Sequence, residues 1–109
     1  MRSIVLAMVM SVGLAAIAPA QNAKVAAGEK LFVDQKCTLC HSIGAKGNKK
    51  GPLDDVGSKL SGDDIRQWIA NPKVMTAKTK ATRKPEMKQY NFPKADVEAL
   101  AAYLETLKK

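Results

Sequence analysis

The apolar positions of this 109-residue chain change character at residue 20. Before that point, Ile4 to Ala18 is an unbroken run of apolar and small residues with Arg2 ahead of it. Ala18-Pro19-Ala20 has the small-x-small form at which export leaders are cut. The pattern predicts a signal peptide over residues 1–20, cleaved to leave Gln21 first, and a single working domain over 21–109. An uncleaved anchor is the rival reading, but the run is short for the roughly 20 residues that a span requires.

After residue 20 the apolar positions recur at helical spacing. Val25, Gly28, Leu31 and Phe32 share a face and predict a helix over 25–36. A glycine inside a helix costs about 1 kcal/mol relative to alanine, so Gly28 marks either a close approach by another helix or a frayed first turn. Leu53, Val56 and Leu60 form a short, weak helical pattern. A clearer helix opens at Ser61, whose hydroxyl suits the cap, with Asp63 and Asp64 at the positive end. Its stripe is Ile65, Trp68 and Ile69, and Asn71-Pro72 closes it. The last helix opens near Pro93 and carries Val97, Leu100, Ala101, Leu104 and Leu107, with Tyr103 beside them. Gly44 to Gly51 reads as a loop, and 73–91, broken by Pro85, as a long irregular one. No strand-like run and no repeat is visible. The expectation is all-α: three to four helices and two long loops.

A domain of this size has a marginal core of its own, and the whole chain holds one Trp, two Tyr and two Phe. A large flat apolar group buried at the centre would supply what the composition lacks. The candidate chemistry says which group. Cys37-Thr38-Leu39-Cys40-His41 is a C-x-x-C-H stretch, the attachment sequence of a c-type haem. One helical turn brings both sulfurs to one side, where they can bond to the two vinyl groups of a single haem. His41 follows at once and offers a ring nitrogen to the iron. Two other uses of the cysteines are weaker. A redox-active C-x-x-C disulfide belongs with a βαβ pattern that is missing here. A structural zinc site needs four ligands, and the chain has two Cys and one His.

A sixth ligand must come from another segment. Soft thioether sulfur fills that position in many haem proteins and raises the potential. Residues 21–109 contain two methionines, Met75 and Met87. Met87 sits in the irregular loop just after Pro85, which limits its slack, and is the expected ligand. Met75 comes next, and an open or water-filled site last.

Taken in order, Gly28 and Phe32, the C-x-x-C-H stretch, Gly51-Pro52-Leu53, Trp68, Lys84-Pro85-Glu86-Met87, and Leu100 with Tyr103 resemble a small bacterial class I cytochrome c, monohaem and His/Met ligated. The resemblance spans nearly all of 21–109. It implies the small class I cytochrome c fold, with helices wrapped around one covalently bound haem c. It also implies that the first and last helices cross near Gly28, Phe32, Leu100 and Tyr103. The Pro52 carbonyl would accept the free ring N–H of His41, Trp68 would pack near the haem with its N–H available to a propionate, and Met87 would take the sulfur-ligand position. Glu86 departs from the neutral residue often found there.

The formal charge of +8 excludes little by itself. No nucleic-acid motif accompanies it, and the leader directs the chain to the periplasm. The expected partners are acidic docking faces of redox proteins (an oxidase, reductase or dehydrogenase), met by Lys36, Lys46, Lys49, Lys80 and Lys84. A merely solubilising surface is the plainer alternative. Membrane contact would be peripheral at most, and the state monomeric. Three function classes follow: a soluble one-electron carrier, which the ligand set favours; a haem protein with an open iron site, acting as a ligand sensor or peroxidase-like enzyme; and a haem-free thiol–disulfide protein.

Overall fold

The computed structural model describes residues 17–109, and its regular structure is almost entirely helix. α1 (Ile17–Asp34) leads into a short 3-10 turn (Cys37–Leu39) and a two-residue hairpin, β1 (Ser42–Ile43) with β2 (Lys46–Gly47). α2 (Val56–Lys59), α3 (Gly62–Ala70), α4 (Pro72–Thr79) and α5 (Lys94–Glu105) follow. The β-strands pair antiparallel, Ser42 with Gly47 and Ile43 with Lys46, a hairpin too small to support a thioredoxin-like sheet.

The most extensive helix pairing joins α1 to α5. Gly28 is the reason they can approach: a Cβ there would collide with the Ala99 carbonyl of α5. One turn on, Phe32 meets Tyr103 edge to face, with ring centroids 6.1 Å apart. The crossing implied by the resemblance is therefore present. The core gathers below it from Phe32, Ile65, Ile69, Leu100, Ala101 and Leu104. Burying its four large aliphatic side chains is worth about 1.5–3 kcal/mol each, a small core for a single domain.

α3 starts where its cap predicts, with the Asp64 N–H donating to Ser61 Oγ at 3.1 Å. It is tied to α5 by Arg66, whose Nε donates to Glu98 Oε2 at 3.0 Å and whose Nη1 donates to Asp63 Oδ1 at 3.0 Å. After α5 the chain returns along α2: the Gly57 N–H donates to the Leu107 carbonyl at 2.8 Å, and the Lys109 N–H to Asp55 Oδ1 at 2.7 Å.

Two boundaries differ from expectation. α1 begins at Ile17 rather than at residue 25. Ala20 to Lys24 are exposed, so these turns bury no stripe for periodicity to find. The stretch 73–91 is not all loop, because Pro72 restarts a helix that Asn71 had closed. Proline ends a helix that reaches it but suits the first turn of the next. α4 buries only Pro72 and Met75 and leaves Val74 60% exposed, so it shows no sustained apolar period. Of the expected leader, residues 1–16 lie outside the described residues, and Ile17–Ala20 belong to α1. Among the described residues no helix is long and apolar enough to cross a membrane.

Candidate functional site

Between α1 and α5 on one side and the loops on the other lies a cavity of about 780 Å³, within the range typical of small-molecule and cofactor sites. Its surface is mostly apolar; Phe32, Ile65, Ile69, Leu100 and Leu104 from the core reach it, and the half-buried Trp68 also lines it.

The C-x-x-C-H stretch forms one part of the wall. Lys36 adopts a left-handed conformation (φ 58°) that ends α1 and turns the chain into the 3-10 turn. The Cys40 and His41 N–H groups both donate to the Cys37 carbonyl, at 3.2 and 3.0 Å. That tight turn sends Cys37, Cys40 and His41 into the cavity. Both thiols are free and half-buried, and burial pushes the Cys37 thiol up from its ordinary value. Burial likewise holds His41 below the usual histidine range, partly opposed by its hydrogen bond to Gly51, with the Arg83 charge adding to the lowering. The direction is toward the neutral imidazole, the form that binds a metal. His41 Nδ1 donates to the Gly51 carbonyl at 3.1 Å, which leaves Nε2 as the nitrogen available to an iron.

That acceptor corrects the expectation for Pro52. Ser42 and Pro52 form a parallel bridge, with the Ser42 N–H donating to Gly51 O at 3.1 Å and the Leu53 N–H to Ser42 O at 2.9 Å. This register turns the Gly51 carbonyl, one residue before Pro52, toward His41. Pro52 lines the cavity. Fixing the ring through its second nitrogen orients the imidazole and raises its basicity.

The loop after α4 forms another part of the wall. Met87 is half-buried and lines the cavity; Met75 is 4% exposed in the α4 packing and does not. From α4 it is Thr76 and Thr79 that reach the cavity. Of the two methionines the structure therefore brings only Met87 together with His41 and the thiols. Glu86 also borders the cavity, but its carboxylate pairs with Lys84 Nζ at 3.0 Å.

Three residues at the cavity were not singled out from the sequence. Tyr90 and Phe92 stack with centroids 4.8 Å apart, and Lys88 Nζ lies 4.7 Å above the Tyr90 ring. An aromatic pair two positions apart in an otherwise polar stretch was the only hint. Arg83 is one of many cations in the chain, yet its Nη2 donates to the Cys40 carbonyl at 2.6 Å.

Two thiols and a neutral imidazole in an apolar cavity, with a thioether from a distant segment, fit a covalently bound haem and its axial ligands. They do not fit a metal held by side chains alone: among the described residues no three His, Cys, Asp or Glu cluster to hold one. No curated protein and no solved structure matches the chain. The family model described as Cytochrome c matches residues 25–108, a span that contains all the cavity residues named above. The chain belongs to the cytochrome c family, and it carries haem c bound covalently, with Cys37 and Cys40 placed as in the C-x-x-C-H attachment motif.

Proposed function

We propose that the protein is a soluble one-electron carrier of the periplasm, freed by cleavage after Ala20, with His41 and Met87 as the axial ligands of its single haem. The observation that carries this reading is the convergence of His41 and Met87, from separate segments, on the one cavity that also receives both thiols. When bound, the haem supplies one-electron exchange between Fe(II) and Fe(III). The chain's own residues do the rest. The Gly51 carbonyl holds the His41 ring in one tautomer and one orientation. Met87 would supply the second iron ligand from the other wall, and a centre so ligated would pass electrons and offer no open position to a substrate. Phe32, Ile65, Ile69, Leu100 and Leu104 keep water out, and a low dielectric around the iron belongs to the protein's means of setting its potential.

Lys36, Lys46, Lys49, Lys80 and Lys84 are all exposed. They supply the positive field that steers an acidic face of an oxidase, reductase or dehydrogenase toward the haem edge. Leu39, between the two thiols and 70% exposed, gives that edge an apolar spot. Such steering weakens steeply with salt. The protein acts as a monomer, touches membranes at most peripherally, and binds no nucleic acid.

The test is a visible spectrum of the exported protein, oxidised and reduced, with and without carbon monoxide. A far-red sulfur-to-iron band in the oxidised form and slow carbon monoxide uptake by the reduced form are expected. Ready uptake by the wild-type protein would replace this reading with an open-site sensor or peroxidase-like enzyme. A colourless protein from a haem-attaching host would replace it with a thiol–disulfide protein.

A further inference from the structure

The segment that carries Met87 has little backbone support. Residues 81–93 lie outside every helix and strand. Among the described residues, the one backbone hydrogen bond that fixes 81–92 runs from the Ala81 N–H to the Thr76 carbonyl at 3.1 Å. Side chains hold the rest. Arg83 Nη2 donates to the Cys40 carbonyl at 2.6 Å, Gln89 Nε2 to the Ala70 carbonyl at 2.7 Å, and Tyr90 Oη to the Gln35 carbonyl at 3.5 Å.

Of these three, Arg83 reaches the segment that holds His41. Cys40 directly precedes His41, and the guanidinium also lies against Gly51, the residue whose carbonyl fixes the ring. Gly51 leaves room for it: a Cβ there would collide with Arg83 Nη1 and with the Cys40 carbonyl. One planar cation is thus fitted over both backbone residues that set the imidazole, four positions ahead of Met87. A guanidinium suits the task because its donors form a rigid fork, whereas a lysine ammonium is a point charge on a flexible stem.

We infer that Arg83 is a positioning residue: it clasps the Met87 loop to the Cys40–Gly51 wall, so that one side chain fixes the sulfur ligand relative to the nitrogen ligand. This rests on His41 and Met87 being the axial pair. The clasp keeps the sulfur in place against competing ligands, and its positive charge near the iron disfavours the oxidised state.

The experiment uses haem-loaded full-length protein with Arg83→Gln, Arg83→Lys and Met87→Ala. It reads carbon monoxide uptake by the reduced form, midpoint potential, and tryptic nicking at Lys88, since Pro85 protects the bond after Lys84. Arg83→Gln is expected to take up carbon monoxide about tenfold faster or more, the scale of one lost charge-assisted hydrogen bond, with a lower potential and faster nicking. Arg83→Lys keeps the charge and not the fork, so it holds the potential near wild type while uptake and nicking rise as in Arg83→Gln. The inference is overturned if Arg83→Gln matches wild type in uptake and nicking while Met87→Ala takes up carbon monoxide readily. If Met87→Ala is itself no faster than wild type, the axial pair is wrong and the positioning role falls with it.

Discussion

The two walls that face the haem are built in opposite ways. On the His41 wall, residues 37–53 are laced by backbone hydrogen bonds: Cys37 O to His41 N–H, His41 O to Asn48 N–H at 3.0 Å, Gly51 O to Ser42 N–H, and Ser42 O to Leu53 N–H. On the Met87 wall, residues 82–92 depend on Arg83, Gln89, Tyr90 and the Tyr90–Phe92 stack. Backbone ladders survive most side-chain changes, whereas a loop pinned by side chains is only as secure as each of them. The placement of His41 should therefore tolerate mutation of its neighbours, and that of Met87 should not.

The largest effect removes what both walls close upon. Cys37→Ala with Cys40→Ala is expected to abolish covalent haem and leave the chain largely unfolded; intact mass and far-ultraviolet circular dichroism read the two outcomes. Native-like dichroism would mean the polypeptide core suffices alone. The two methionines come next, and they separate position from packing. Met75→Ala, in the α4 packing, should cost about 2–5 kcal/mol in a denaturant titration and leave the far-red band intact. Met87→Ala should lose the band and admit carbon monoxide at a smaller cost in stability, since its side chain is only half-buried. Exchanged phenotypes would exchange the ligand assignment.

Gly51→Ala tests where the walls meet. The added methyl group pushes on Arg83 and the Cys40 carbonyl together, so it should cost about 1–3 kcal/mol and speed carbon monoxide uptake as well. A loss of stability with uptake unchanged would show that the walls are independent. The smallest effect lies at Asp55, where the Lys109 N–H and then the Ser58 side chain hold the carboxyl below the ordinary carboxylate value. A lowered folded-state value means that the contribution is present above the unfolded value, near 3.8. It is lost as pH falls through the folded one. Asp55→Asn should lower stability slightly at neutral pH, leave it almost untouched at the acid end, and so flatten that acid limb; an unchanged acid limb would count against the Lys109 contact.

Chemistry was more legible than connection. Cys37, Cys40 and His41 are adjacent in sequence, so their shared face followed from one turn of helix. α3 and α5 announced themselves through a cap and a stripe. Met87 stood out because only one other methionine competed for the role. By contrast, α4 buries too little to show a period, and α1 extends through turns with no inward face. The His41 acceptor missed by one residue, since bridge register is settled by pairing between Ser42 and Pro52 and no local rule fixes it. Arg83 was invisible for a different reason. A cation among cations is distinguished only by what lies opposite it, and Cys40 is far away along the chain.

The crossing at Gly28 and Ala99 has a consequence for assembly. The helix that precedes the thiols packs on a helix synthesised long after them, so the chamber cannot shut when its reactive sulfurs first emerge. Contacts so distant in sequence form late. Until they do, Cys37 and Cys40 stay open to the incoming porphyrin, and docking of the final helix closes the chamber around it.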